Sequence, residues 1–99
     1  MNEIETNNLR LLCMAVVALE TPEEAWSFLL ELCTHQEIKV ISQRLAIAEL
    51  LLQKIPYAQI NIMLDSPSTA TISRINDTVK NGNGSLGRIV TRVNGAEGN

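Results

Sequence analysis

Apolar residues cover almost every side of the first predicted helix. Good helix formers fill residues 4–19, and one face of that segment carries Leu9, Leu12, Val16 and Leu19. The other faces are apolar as well, because they carry Leu11, Met14, Ala15 and Val17. A helix that is apolar all round has to be surrounded by protein, and one chain of 99 residues can hardly surround it. The pattern therefore predicts an intimate homodimer.

Capping signals place two further helices. Thr21-Pro22-Glu23-Glu24 combines a capping box with proline at the first helical position, which predicts a second helix that ends near Cys33. Thr34-His35-Gln36-Glu37 repeats the capping box and predicts a third helix that continues through Gln53. Its apolar stripe is predicted to consist of Ile38, Ile41, Leu45 and Leu52, widened by Val40, Ile47 and Leu51.

Proline, serine and glycine divide the second half of the chain into three shorter helices. Pro56 disfavours helical geometry at the residue before it, so a fourth helix is predicted over residues 57–64. Asp65-Ser66-Pro67-Ser68 then forms a turn before a fifth helix over residues 68–80, whose core face is Ile72, Ile75 and Val79. Asn81-Gly82-Asn83-Gly84 ends this helix through the left-handed geometry that glycine and asparagine tolerate.

A last helix is predicted over residues 86–93, and a polar, disordered tail is predicted over residues 94–99. The elements make an all-α fold of six short helices in one domain over residues 1–93. This fold has no feature that spans a membrane, because the longest apolar run has nine residues where about 20 are needed. Residues 1–9 are polar and carry two glutamates instead of an export signal, so we expect a cytoplasmic protein.

The fourth and fifth helices have the layout of a helix-turn-helix. The fifth begins with small residues, Ser68, Thr69, Ala70 and Thr71, whose hydroxyls and free N–H groups can bind phosphate oxygens. Thr71, Arg74 and Thr78 follow on one face, opposite the core side, and such a face could contact a major groove. An ordinary amphipathic helix with a polar outer face would show the same spacing, so the pattern alone leaves both interpretations open.

Charge narrows the choice of partner. The net charge of −3 argues against a protein that coats nucleic acid indiscriminately. The charge is nevertheless polarised, because residues 66–93 carry four basic side chains, Arg74, Lys80, Arg88 and Arg92, against Asp77 alone. That segment has a net charge of +3, which suits a surface that meets double-stranded DNA. Ordinary solvated helix faces account for most asymmetries of this kind, so the charge alone leaves both interpretations open.

Catalytic and metal chemistry have few candidate residues. The single histidine, His35, is predicted to face solvent in the first turn of a helix, so no catalytic residue, metal ligand or cofactor is expected. Cys13 and Cys33 are not spaced as a metal knuckle or a redox pair, and we expect both to be reduced and buried.

About half of the chain resembles the tryptophan-repressor-like family, especially its Gram-positive branch. The similarity is carried by Leu32-Cys33-Thr34, Ser42-Gln43-Arg44-Leu45, the segment Ala48 to Leu52, Asn81-Gly82-Asn83 and above all Ser68-Thr69-Ala70-Thr71-Ile72-Ser73-Arg74. The resemblance implies an intertwined homodimer that acts as a DNA-binding transcriptional repressor. The residues it implies as DNA contacts are Gln59, Ser68, Thr69, Ala70, Thr71, Ser73 and Arg74.

The same resemblance raises the question of a tryptophan co-repressor. The positions that hold the amino acid in tryptophan-responsive members are occupied here by Thr34, Arg44, Arg74 and Thr78. Ile75 stands where those members have glycine beside the indole, and its side chain would fill the space of the ring. Tryptophan is therefore not expected to bind, no other effector is implied, and Arg44 is interpreted as a surface residue paired with a carboxylate.

The chain departs from the family in its helix-turn-helix. The turn is one residue longer than usual, and Asp65 stands where glycine is common. The alternative function is therefore a helical protein-interaction or assembly module that has kept the dimer and lost DNA binding. The acidic net charge also favours this alternative.

Overall fold

The computed structural model of the chain describes residues 1–98 and contains helices without any strand in that range. The helices are α1 (Glu3–Ala18), α2 (Pro22–Leu32), α3 (His35–Leu52), α4 (Tyr57–Met63), α5 (Thr69–Asn81) and α6 (Ser85–Gly98). The all-α prediction with six helices is confirmed. None of the helices in the described range is long and apolar enough to cross a lipid bilayer.

The helices begin where the capping residues predict. Thr21 Oγ1 accepts a hydrogen bond of 3.0 Å from the backbone N–H of Glu24 at the start of α2. Before α3, Thr34 Oγ1 accepts from the N–H of Glu37 at 3.1 Å, and the Glu37 carboxylate accepts from the N–H of Thr34 at 2.8 Å. Such reciprocal bonds satisfy backbone donors that the first turn of a helix leaves unpaired.

The chain divides into two compact units, and the division falls inside α3. Unit 1, Met1–Ile38, contains α1 and α2, and none of its residues is buried. The free cysteines follow this pattern, because Cys13 is exposed and Cys33 is half-buried. The expectation that both cysteines are buried is wrong for the single chain, since unit 1 has no core of its own. The single domain predicted for residues 1–93 stays a prediction.

Unit 2, Lys39–Asn99, has a core to which all four of its helices contribute. Its buried residues are Ile47, Ala48, Leu50 and Leu51 of α3, Ile60 of α4, Ile72 and Ile75 of α5, and Val90 of α6. The prediction for α5 is confirmed, since Ile72 and Ile75 are buried and Val79 packs against them. The predicted apolar face of α3 is confirmed only in part, because Ile47 and Leu51 are buried whereas Ile41 and Leu45 are nearly half exposed. Apolar residues occur around most of α3, so the neighbouring helices decide which of them is buried.

Two predictions at the end of the chain need correction. Gly82 is not left-handed but extended, and glycine is required there because a Cβ would lie 2.5 Å from the carbonyl oxygen of Thr78. The tail predicted to be disordered from residue 94 is wrong for residues 94–98, which continue α6, while residue 99 lies outside the described residues. No proline interrupts this segment, and each added residue extends an existing helix by one hydrogen bond.

Candidate nucleic-acid interface

The predicted helix-turn-helix corresponds to α4 and α5 with residues 64–68 between them. These five residues exceed the three or four that are typical of the motif. The two helices are fixed to the same core, because Ile60 of α4 is fully buried beside Ile72 of α5. The lengthened turn predicted from the sequence is therefore present, and both helices still share one hydrophobic anchor.

Two consecutive residues of the turn adopt the left-handed conformation. Asp65 has φ +56° and Ser66 has φ +55°, although neither is glycine. This conformation costs an L-residue about 1–2 kcal/mol, with aspartate among the residues that tolerate it best. The resemblance implies glycine at position 65, and the backbone there has the left-handed geometry that glycine adopts most easily, so aspartate adopts it with some strain.

Hydrogen bonds hold this strained turn in one conformation. The N–H of Ser66 donates to the carbonyl oxygen of Asn61 at 2.9 Å, which closes the last turn of α4. The Asn61 side chain donates through Nδ2 to the carbonyl oxygen of Pro67 at 2.9 Å, and Pro67 is buried. Gln43 of α3 adds a longer bond of 3.4 Å from Nε2 to the carbonyl oxygen of Leu64. Asn61 and Gln43 therefore fix the conformation of the turn, a contribution that was not predicted for either residue.

The start of α5 is exposed and partly unsatisfied. Ser68 caps the helix, since its Oγ accepts from the N–H of Thr71 at 3.1 Å and lies 2.8 Å from Thr71 Oγ1. These two hydroxyls bond each other and are less free than the sequence suggested. Within the described residues, the N–H groups of Thr69 and Ala70 have no hydrogen-bond acceptor, as expected for the first turn of a helix. Two backbone donors and the positive end of the helix dipole therefore face solvent.

The outer face of α5 is polar and carries one prominent cation. Ser73, Arg74 and Thr78 are exposed, and Gln59 is exposed on the preceding helix. Thr78 Oγ1 donates to the carbonyl oxygen of Arg74 at 3.2 Å, a bond within the helix that leaves the guanidinium unused. No described residue forms an ion pair or hydrogen bond with the Arg74 side chain. An exposed guanidinium without an internal partner is available to phosphate or to a base edge.

The structure says less about the four residues that the resemblance implies for an effector site than about the helix-turn-helix. Thr34 belongs to unit 1 and caps α3, whereas Arg44, Arg74 and Thr78 belong to unit 2. Arg44 is exposed, as predicted for a surface arginine, but the carboxylate partner expected for it is not found among the described residues. Ile75 is 8% exposed and belongs to the core of unit 2. Whether these positions form an effector site stays a prediction.

Comparisons with known proteins agree with this arrangement. Residues 7–94 match the family model of the Trp repressor protein. The protein YerC of Bacillus subtilis (strain 168) is 31% identical over 96 residues, which cover 97% of this chain and 91% of YerC.

Two solved structures share the fold. A crystal structure of a candidate Trp repressor from Staphylococcus aureus has a TM-score of 0.83 and 37% identity, with 95% of this chain and 96% of that chain covered. A TrpR-like protein from Eubacterium eligens has a TM-score of 0.84 and 33% identity with the same coverage of both chains. The family match, the identities and the helix-turn-helix together show that this chain belongs to the Trp repressor protein family, a family of DNA-binding regulators rather than of enzymes.

Proposed function

We propose that the protein is a sequence-specific transcriptional repressor that binds double-stranded DNA as a homodimer. The observation that carries this proposal is the exposed polar face of α5, on which the guanidinium of Arg74 has no partner among the described residues. The core side of the same helix fixes its orientation through Ile72 and Ile75. The helix can therefore enter a major groove without losing contacts to its own core.

Each part of the helix-turn-helix has a role in this proposal. The unpaired N–H groups of Thr69 and Ala70 would bind phosphate oxygens and set the depth of α5 in the groove. Arg74, Ser73 and Thr71 would then face base edges, with Gln59 of α4 near the backbone. An arginine can donate two hydrogen bonds to O6 and N7 of a guanine, which is the commonest specific contact of this kind.

A homodimer accounts for the exposed apolar surface of the single chain. In unit 1 the exposed side chains include Leu11 at 69%, Met14 at 59% and Val17 at 84%. In unit 2 an open, mainly apolar groove of about 250 Å³ lies between α3 and α6. Covering both surfaces with a second copy would remove them from water at about 25 cal/mol per Å². Two copies of α5 would then lie about 34 Å apart and select a DNA site with two-fold symmetry.

Tryptophan is not proposed as a co-repressor. Ile75 is part of the unit 2 core, and its side chain occupies space that the smaller glycine of tryptophan-responsive members would leave open. On this argument, tryptophan is not an effector of this protein. Calorimetry with tryptophan and the purified protein is the direct measurement.

The DNA-binding proposal is tested with duplexes that the parent protein selects from a random pool. Arg74→Ala should weaken binding by about 1–3 kcal/mol if Arg74 contacts a base, or lower the salt slope by about one unit per site if it contacts phosphate alone. Arg10→Ala is the matched control, because it removes another exposed arginine, from α1. Circular dichroism should show the same helix content for both variants and the parent.

The alternative module without DNA binding gives a different result. In that case the random pool yields no enriched duplex, and no fragment shows affinity that falls with rising salt concentration. Equal binding by Arg74→Ala and the parent at every salt concentration would contradict the assignment of α5 as the recognition helix.

A further inference from the structure

One asparagine-glycine pair spans the end of α5, a second lies in the connection to α6, and a third lies inside α6. The pairs are Asn81-Gly82, Asn83-Gly84 and Asn94-Gly95. In such a pair the glycine nitrogen can attack the asparagine amide, because no side chain on glycine hinders the approach. We propose that Asn83 is a site of intramolecular deamidation in the folded protein, and that the fold activates this pair and protects the other two.

The backbone at Gly84 leaves the nucleophile accessible. Gly84 has φ +85° and precedes the first residue of α6. Its N–H donates no hydrogen bond to any described residue. A φ of +85° is a backbone conformation that side chains of L-residues rarely adopt, so the local fold favours glycine at this position. The residue that the turn needs for conformational reasons is also the residue that makes the nitrogen most reactive.

Two hydrogen bonds activate the groups that react. The N–H of Ser85 donates to Oδ1 of Asn83 at 3.0 Å, and this oxygen carries the negative charge of the tetrahedral intermediate. Nη1 of Arg88 donates to the carbonyl oxygen of Asn83 at 3.2 Å. That carbonyl belongs to the same peptide group as the Gly84 nitrogen, so the cation withdraws electron density from it and makes its N–H more acidic.

The reaction needs only water and base. The Gly84 nitrogen loses its proton to base and forms a bond to Cγ of Asn83, while the bond from Cγ to Nδ2 breaks and the nitrogen leaves as ammonia with a proton from water. Water then opens the cyclic imide at either carbonyl and gives aspartate or isoaspartate at position 83. No oxidant or reductant takes part.

The other two pairs lack this geometry. Nδ2 of Asn81 donates to Oδ1 of Asp77 at 2.9 Å, and the N–H of Gly82 donates to the carbonyl oxygen of Thr78 at 2.9 Å. Asn94 and Gly95 lie inside α6, where helical dihedral angles hold the next nitrogen away from the side-chain carbonyl. These pairs must leave the helix before they can react, so they serve as internal references for Asn83.

The product carries one more negative charge at the end of the proposed recognition helix. Residues 66–93 then have a net charge of +2 where the parent has +3. This consequence rests on the proposed function, in which the segment meets phosphate, and it predicts lower DNA affinity for the modified fraction. The modification itself is measured by mass and does not depend on DNA binding.

The experiment incubates the full chain in mildly alkaline buffer, both folded and in concentrated urea, and follows deamidation by peptide mass. Trypsin cleaves after Lys80 and Arg88, so one peptide carries Asn81 and Asn83, and its fragment masses assign the modified residue. In the folded protein Asn83 should react about tenfold faster than Asn81 and Asn94, whereas the three rates should converge in urea. Equal or slower reaction of Asn83 in the folded protein would overturn the proposal.

A variant tests the role of Arg88. Arg88→Ala should slow Asn83 in the folded protein by up to about tenfold, the effect expected for one hydrogen bond to a charged group, and should leave the rate in urea unchanged. Arg92→Ala, at an exposed arginine one turn further along α6, should react like the parent. If Arg88→Ala reacts as fast as the parent when folded, activation by the guanidinium is refuted.

Discussion

The apolar content and the burial of side chains rank unit 1 and unit 2 in opposite orders. Apolar residue types make up 20 of the 38 residues in unit 1 and 25 of the 61 in unit 2. Unit 1 nevertheless has no buried residue, while unit 2 buries residues from all four of its helices. Apolar content therefore predicts burial in a single chain only where the surface that covers the apolar residues belongs to the same chain. In unit 1 that surface is missing from the single chain, as expected if a second copy supplies it.

Two side chains with nearly equal exposure provide the largest test of this comparison. Val17 in α1 is 84% exposed and Ile62 in α4 is 82% exposed. Val17→Asp should abolish the dimer and the folded state together, because it places an unpaired charge in the proposed interface. Ile62→Asp should change the free energy of unfolding by no more than about 0.5 kcal/mol, as for ordinary surface substitutions.

Sedimentation and urea denaturation at several protein concentrations measure both outcomes. The parent and Ile62→Asp should sediment as dimers, with denaturation midpoints that rise with concentration. If Val17→Asp forms a compact, fully helical species as stable as the parent, the proposed homodimer is wrong and unit 1 folds without a partner.

Much of the fold could be predicted from the sequence because helix starts depend on neighbouring residues. Thr21, Thr34 and Ser68 each precede the helix that they were expected to cap. The end of α6 could not be predicted in the same way, since residues 94–98 contain no proline to stop it. The buried face of α3 was predicted only in part, at Ile47 and Leu51, because burial there depends on α4, α5 and α6 rather than on the spacing within α3.

A smaller test concerns the strained turn of unit 2. Asp65→Gly should stabilise the protein by about 0.5–1 kcal/mol, because glycine adopts the left-handed conformation of this position without a clash at Cβ. Asp77→Gly is the matched control, since it makes the same replacement inside α5. It should destabilise by about 0.5–1 kcal/mol, because glycine is the poorer helix former and the hydrogen bond from Asn81 is lost. Urea denaturation of the three proteins at one concentration gives both differences. A loss of stability in Asp65→Gly would show that the aspartate side chain contributes more than its backbone strain costs.

The candidate site was predictable only in part. The amphipathic period of α5 places Ile72 inside and Arg74 outside, and both predictions hold in the structure. The bonds that fix the turn were not predictable, because Gln43 and Leu64 are 21 residues apart in sequence. The left-handed conformation of Ser66 was not predictable either, since serine carries no signal for it. Local periodicity therefore identifies the exposed face of α5, while long-range contacts help to fix the turn before it.

The smallest expected effect lies at the end of unit 1, in the capping box of α3. This capping box stabilises the single chain without a second copy. The hydrogen bond from the Thr34 N–H, together with a smaller contribution from the Thr34 side chain, holds the pKa of the exposed Glu37 carboxyl below its usual value. In the unfolded chain this bond is absent, so the unfolded state binds a proton at a higher pH than the folded state does. The cap therefore contributes its stability above the unfolded pKa and loses it as the pH falls through the folded pKa. Carbon-detected NMR should show Glu37 titrating below the usual range for glutamate, and Glu37→Gln should reduce the loss of stability on acidification while leaving the helices intact. If Glu37 titrates in or above the usual range for glutamate, the cap opens in solution. The capping box would then not stabilise unit 1, and unit 1 could no longer be contrasted with unit 2 as a unit held by local caps instead of a core.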